Sequence, residues 1–352
     1  MINVAALTSG KNVPSARFRV RQHIEPLKRA GICVREYIPV VSKYTPVPFS
    51  SFFSGLSSIP VRAFWKWMKI LPSIPGVMGS WAAQMTWLER GLDPGMFTLE
   101  RFIKRPLVLD VDDAIWLTPP FGRTAAMRLG KLADVVLAGN RHIAEWFGRC
   151  AGDVRLVPTC VDTDRIKPRN FENGDPSPKR FAVGWTGTSS NFPALYQIEK
   201  GVAEFLRNHD AELVIVADEA PRFSELGPDR VRYVKWKPDR EIDILTQMDV
   251  GLMPLPFDEW SLGKCSFKML QYMAAGLPVV VSPVGMNVEI LAMGDIGFPA
   301  VTPGDWHDAL TTLYHDRTLG RKCGAEGRRI VEKHFSRKVV SRVLAAIFKE
   351  VS

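Results

Sequence analysis

The sequence predicts an α/β protein built from two open, mostly parallel sheets, each with its own helices. Three observations carry that expectation. Short apolar runs of strand length alternate with amphipathic stretches along most of the chain, as in successive strand–helix units. The alternation stops at a stretch rich in Pro, Asn, Gly and Asp, Pro168–Pro178, and restarts after it. A chain of 352 residues is also long for one hydrophobic core and comfortable for two.

Composition narrows the class. Hydrophobic residues at 46% and charged residues at 24% describe an ordinary globular protein. The five cysteines, Cys33, Cys150, Cys160, Cys265 and Cys323, are scattered and never form a CxxC pair. This argues against a disulfide framework or structural zinc and for a reducing compartment. The opening MINVAALTSG reads as a first strand rather than a signal peptide. No apolar run reaches the roughly 18 residues that would span a membrane. A net charge of +9 points to anionic partners, either a membrane surface or phosphorylated substrates, although a basic surface solvated on all sides is a competing reading. The basic residues are spread out and no nucleic-acid recognition motif accompanies them, so nucleic acid is set aside.

In the first half, Asn3–Leu7 reads as a strand, Thr8–Ser15 as a polar loop, Ala16–Ala30 as a helix closed by Gly31, and Ile32–Pro39 as the next strand. Arg17 and Arg19 fall in the first helical turn, where they either face an anion or are solvated. A GxGxxG fingerprint is absent. Val47–Trp87 is rich in Pro, Ser, Phe and Trp. Within it, Val61, Phe64, Trp65, Met68 and Leu71 recur at helical spacing with Arg62, Lys66 and Lys69 between them. Val61–Leu71 is therefore either an interfacial helix on an anionic membrane or a core helix. Pro106–Val111 reads as a buried strand leading into Asp112 and Asp113. Asp110, Asp112 and Asp113 admit two readings: a DxD site for Mg²⁺ or Mn²⁺, or a wall whose carboxylates bond sugar hydroxyls or cap the next segment. Ala133–Ala138 and Val154–Val157 follow as strands, with Asn140 capping a helix over His142–Phe147 and a turn over Thr159–Asp164.

In the second half, Arg180–Trp185, Ala211–Ala217 and Val231–Val234 read as strands, and Pro193–Arg207 and Asp239–Met248 as helices. Gly184, Gly187, Thr188 and Ser189 lie at the first strand-to-helix turn, whose backbone N–H groups and hydroxyls suit a phosphate. Asp249–Pro254 is a second such strand, followed by a loop to Gly263, a helix over Lys264–Ala275 stopped by Gly276 and Pro278, a strand over Leu277–Ser282, and a further helix after Gly285. Lys264 and Lys268 then fall in the first helical turns, beside the positive dipole end and at the carboxyl end of a strand, which favours an anion. Arg317–Lys333 and Ser336–Val351 read as two closing helices, with Ser336 as cap.

The stretch LPFDEWSLGKCSFKMLQYMAAGLPVVVSPVGMNVEI, supported by VGWTGTSSN, LVLDVDDAIW, LVPTCVD and PSARFRVRQ, resembles the retaining glycosyltransferases of family 4, glycosyl transferases group 1. The resemblance runs over nearly the whole chain. It implies the GT-B fold: two Rossmann-like α/β/α domains facing across a cleft, with 1–170 on the acceptor side, 171–178 as linker, 179–335 on the nucleotide-sugar side, and 336–352 returning to the first domain. It implies retaining transfer of a hexosyl unit from a nucleotide-diphosphate sugar to a glycan or lipid-linked acceptor, in cell-surface polysaccharide or glycoconjugate synthesis. The enzyme would be cytoplasmic and peripheral on the inner face of the membrane, with no metal and no cofactor beyond the donor. Lys264 and Lys268 would neutralise the departing diphosphate, and Asp112 or Asp113 would orient the acceptor. Gly184, Gly187, Thr188, Ser189, Gly263, Gln271 and Glu259 would line the nucleotide-sugar site, and Arg17 and Arg19 the acceptor or phosphate side. Where family members usually carry two glutamates, this chain has Gly263 and Gln271. Gln271 retains a donor and an acceptor for a ribose hydroxyl, whereas Gly263 offers no side chain and leaves Asp258, Glu259 or nearby backbone to stand in. Two other readings stay open: a non-catalytic nucleotide-sugar-binding relative, and a metal-dependent GT-A-like transferase built on Asp110–Asp113.

Overall fold

The computed structural model describes residues 1–11, 13–40, 70–168, 180–237 and 241–352. Val61–Lys69 and the linker after Pro168 lie outside the described residues. The chain forms two compact units, each organised on a six-stranded parallel sheet, as the sequence predicts. The first comprises Met1–Thr159, Gly263–Cys265 and Val340–Ser352, and the second Cys160–Leu262 and Ser266–Val339.

The first sheet contains β1 (Ile2–Leu7), β2 (Ile32–Tyr37), β3 (Met85–Glu89), β4 (Leu107–Val111), β5 (Val135–Ala138) and β6 (Val154–Leu156), in the order β2-β1-β3-β4-β5-β6. β1, β4 and β5 are near-continuous runs of Val, Leu, Ile and Ala, as expected for strands covered on both faces. β3 escapes the sequence pattern because it ends the aromatic tract Val47–Trp87, yet all five of its residues are buried. The helix expected over Ala16–Ala30 is broken into a π turn at Ala16–Val20, a 3₁₀ turn at Arg21–His23 and an α-helix at Ile24–Arg29. Pro26 explains the break, since it cannot donate to the Gln22 carbonyl. The last helix, Arg337–Val351, contributes Phe348, whose ring lies 5.0 Å edge-on to Trp87, and Ser341, whose hydroxyl is 2.7 Å from His23 Nδ1.

The second sheet contains β7 (Phe181–Thr186), β8 (Ala211–Ala217), β9 (Val231–Lys235), β10 (Val250–Met253), β11 (Val279–Val281) and β12 (Gly297–Pro299), in the order β12-β11-β10-β7-β8-β9. Trp185, Phe205, Leu310 and Trp306 are among the side chains that fill its core. The helix foreseen over Pro193–Arg207 divides into Phe192–Gln197 and Glu199–Asn208. The helix over Pro303–His315, not foreseen, opens with a capping box in which Thr302 and Asp305 satisfy each other's backbone N–H groups. Among the described residues no helix is long and apolar enough to cross a membrane.

Each strand order reverses direction once, between β1 and β3 in the first sheet and between β7 and β10 in the second. The carboxyl ends of strands at such a reversal leave a crevice where open α/β sheets bind ligands. Those two places are where the predicted residues must be sought.

Candidate functional sites

In the second unit, Tyr272 joins the two strands of the reversal. Its ring occupies the space where a Cβ on Gly251 of β10 would stand, and its hydroxyl accepts a 2.9 Å bond from Thr186 N–H at the end of β7. Burial pushes the Tyr272 phenol up to about 12, so it stays neutral. One turn earlier on the same helix, Phe267–Ala274, Lys268 lays its ammonium 4.6 Å from the centroid of the Trp185 ring. Gly187 makes this possible: a Cβ there would meet Trp185 at 2.6 Å and Lys268 Cε at 3.0 Å. A cation resting on an aromatic face at the strand ends suits a diphosphate beside a planar or sugar ring.

The loop after β7 behaves differently from the expectation of free donors. Gly187 N–H bonds to the Val216 carbonyl at 3.0 Å, and Ser189 N–H and hydroxyl both bond to the Asp218 carboxylate, at 2.6 and 3.1 Å. The Thr188 hydroxyl is 2.8 Å from that of Ser190 and accepts from Asn191. Asp218, just after β8, takes up both Ser189 donors. Gly184 sits inside β7, not in the turn, and its missing Cβ gives room to Met248. These two glycines and Ser189 are packing and loop-closing residues.

Gln271 is buried and donates a 2.8 Å bond to the buried carboxylate of Glu241. Glu259 begins the short helix Glu259–Leu262 and is exposed.

Lys264 corrects a second expectation. The helix begins at Phe267, not at Lys264, because Ser266 adopts a left-handed conformation with φ of 50° and fastens its hydroxyl to Asn287 at 2.7 Å. The tripeptide Gly263–Cys265 groups with the first unit. There Asn140 Nδ2 bonds to the Lys264 carbonyl at 3.0 Å, and the Cys265 thiol, its pKa raised by burial, points at the Asp112 carbonyl at 3.3 Å. A Cβ on Gly139 would meet that sulfur at 2.4 Å, so Gly139 keeps its place open.

This anchoring carries Lys264 to the carboxyl ends of the first sheet, where its ammonium lies 2.9 Å from Asp113 Oδ1. Arg90 completes the arrangement: Nε is 2.6 Å from Asp112 Oδ1 and Nη2 is 2.6 Å from Asp113 Oδ2. Burial raises the Asp112 pKa, but Arg90 outweighs it and holds the carboxyl below its usual range. Arg90 has φ of 63°; it and Ser266 are the non-glycine residues with positive φ among the described residues. Such backbone costs about 1–3 kcal/mol and persists where the surroundings enforce it, often at functional sites. Glu89, just before, is buried and accepts from Ser9 N–H at 2.8 Å, from the Ser9 hydroxyl, and from the Ser15 hydroxyl at 2.5 Å.

Arg19 is buried rather than turned to solvent. Its Nε bonds to Asp110 Oδ1 at 2.7 Å and its Nη1 to the Val157 carbonyl at 2.7 Å, while Nη2 has no partner among the described residues. Trp87 also donates to Asp110, at 3.1 Å. Arg17 lies on the neighbouring Phe18 ring at 4.6 Å. The aspartates of the DxDD run thus have cationic partners, Arg19, Arg90 and Lys264. Among the described residues no group of three or more His, Cys, Asp or Glu side chains is arranged to hold a metal ion.

The structure therefore brings Asp112, Asp113 and Lys264 together on the first unit, and Lys268, Gly187 and Trp185 on the second. Sequence reasoning missed Arg90, Glu89, Trp185 and Tyr272. Tyr272 and Trp185 carried a local signal, their places inside the KMLQYMAAG and VGWTGTSSN runs.

Residues 183–316 match the model of one protein family, glycosyl transferases group 1. No curated protein matches the sequence. The structure resembles sucrose-phosphate synthase from Thermosynechococcus elongatus, with TM-score 0.70 and 14% identity over 99% of both chains. It also resembles HepE from Anabaena in complex with UDP and glucose, with TM-score 0.66 and 12% identity over 99% of this chain and 100% of that one. A glycosyltransferase from Rickettsia africae gives TM-score 0.68 and 11% identity over 99% and 98% of the two chains. These likenesses establish the fold, a two-unit α/β architecture of the GT-B type.

Proposed function

We propose that this protein is a glycosyltransferase that takes a sugar from a nucleotide-diphosphate donor and passes it to a glycan or lipid-linked acceptor with retention. The observation that carries the reading is Lys268 held over Trp185 at the reversal point of the second sheet, inside the segment that matches the family. Lys268 binds the diphosphate, and the buried Trp185 ring beneath it holds the ammonium in place. The positive charge sits where negative charge develops on the leaving nucleotide, and preorganised charge of this kind is worth about 3–4 kcal/mol of barrier. Lys264 adds a second cation at a carboxylate pair, Asp112 and Asp113, which accepts hydrogen bonds from acceptor hydroxyls. Charge neutralisation by lysine makes a metal unnecessary in this scheme, and no residue is assigned as a covalent nucleophile.

Structures of similar fold direct the choice of donor, since HepE from Anabaena is known in complex with UDP-glucose and a trehalose-6-phosphate protein from E. coli with UDP-2-fluoro glucose. We extend the reading to a hexosyltransferase of family 4 in cell-surface polysaccharide or glycoconjugate synthesis, working in the cytoplasm as a peripheral protein on an anionic membrane. The GT-A-like alternative loses its basis, because the fold is of the other type and its carboxylates are engaged by cations.

A thermal-shift screen of UDP-, GDP- and ADP-sugars tests the donor reading, since a ligand at 100 times its Kd stabilises by about 2.7 kcal/mol. A shift with one sugar nucleotide, followed by transfer that drops about tenfold or more in Lys264→Ala, is the expected result. Absence of a shift with every donor overturns the reading. A second reading, donor binding without transfer, is favoured by Gly263, which has no side chain where the family carries a glutamate. A donor shift with neither hydrolysis nor transfer would select it.

A further inference from the structure

One face of the first unit is apolar and exposed, and it has no internal partner among the described residues. Leu71, Ile74, Met78 and Trp81 follow one another at helical spacing through the 3₁₀ turn Leu71–Ser73 and the helix Ile74–Ser80, at 50%, 38%, 69% and 64% exposure. The opposite face of the helix is the packed one: Gly76, Val77 and Ser80 are buried, and Cβ atoms on Gly76 or Gly79 would meet Leu7 and Tyr37. Phe102, 48% exposed, extends the apolar face, because the Trp81 indole N–H donates to the Phe102 carbonyl at 2.9 Å.

The chemistry around this face selects its occupant. The Arg101 guanidinium lies 4.6 Å from the Phe102 ring centroid, and the Lys104 ammonium 5.9 Å from that of Trp81. Trp81 is already satisfied at its one polar atom, so its ring enters an apolar medium without an orphaned donor. Apolar side chains with two cations at one edge, on a chain of net charge +9, complement a surface that is apolar beneath and anionic above.

We infer that Leu71, Ile74, Met78, Trp81 and Phe102, with Arg101 and Lys104 at their edge, dock the protein on an anionic lipid bilayer, the apolar side chains entering the headgroup–acyl boundary. This rests on the peripheral-membrane part of the function proposed above and gives it a surface. It does not depend on sugar transfer.

The test is co-sedimentation of the full chain with vesicles of phosphatidylcholine alone and with added phosphatidylserine. The wild type binds the anionic vesicles, more weakly as salt rises. Met78→Ser with Trp81→Ser binds about tenfold less to them. Arg101→Gln with Lys104→Gln loses about tenfold on anionic vesicles only. Unchanged thermal midpoints show that the variants fold, and Met78→Ser alone serves if the Trp81 change does not. Equal binding by wild type and the apolar variants overturns this surface while leaving the membrane reading intact. A wild type that binds neither vesicle overturns both. Self-association of the wild type that the apolar variants lose, without vesicle binding, shows the face to be a protein interface and overturns the inference.

Discussion

The amide nitrogen of Ala114 lies 2.7 Å from the point where a Cβ on Gly263 would stand. Real Cβ atoms do not approach backbone so closely, so this position accepts only glycine while the loop keeps its course. As packed, the loop leaves no room for a side chain at this position. Gly263→Ala is expected to lower stability by about 1–3 kcal/mol, and Gly263→Glu by more, without gain of activity. Urea denaturation reads the change, and an unaltered midpoint in Gly263→Ala would show that the loop packs elsewhere in solution.

Lys268→Met keeps the aliphatic cover on Trp185 and removes the charge. Donor affinity should fall about 10- to 100-fold, the loss of a hydrogen bond to a charged group, with little change in the thermal midpoint of the free protein. Calorimetric titration with the donor and with the free nucleoside diphosphate checks it. Equal affinity in wild type and variant would remove Lys268 from the site.

Gln271→Glu sets a second carboxylate against buried Glu241, now 2.8 Å from the amide. Like charges at that distance repel strongly when desolvated. We predict lower stability at neutral pH than the wild type, partly recovered in mild acid, as followed by thermal unfolding at several pH values. A variant as stable as the wild type throughout would mean that the pair separates.

Asp110 gives a pH dependence of definite sign. Burial pushes its carboxyl up to about 6, with Arg19 pulling the other way. An unfolded aspartate titrates near 4. The folded state therefore holds this proton more tightly, and the group favours folding at low pH, a contribution lost as pH rises from about 4 through 6. The stability difference between wild type and Asp110→Asn should decline over that interval. A difference that grows with pH would mean the ion pair with Arg19 dominates.

Arg90→Lys removes the two-pronged clamp on Asp112 and Asp113, which a lysine cannot reproduce. Transfer should fall about tenfold or more while donor affinity, carried by Lys268, stays within about twofold. Parallel loss of both would assign Arg90 to overall folding.

How much of this was legible in the sequence depends on the range of the cause. Apolar runs such as Val279–Val281, the Asn140 cap and the stop at Gly276, with its φ of 72°, act within a few residues and were read correctly. β3 was not, because a strand flanked by aromatic and Pro-rich sequence has no alternation to expose it. Without β3, neither Glu89 nor Arg90 had a position from which to be proposed.

The sequence by itself determined two parallel α/β sheets, the strand ends at which Asp112, Asp113 and Gly187 emerge and the helix that carries Lys268, since burial and turn chemistry are local properties. Tertiary structure alone decided what those residues do. Lys264 left the helix to meet Asp113, Asp218 took up the Ser189 donors, and Arg19 was drawn into the core by Asp110. Charges are partnered through space, and the identity of a partner 91 or 151 residues away is not written in the neighbourhood of either one.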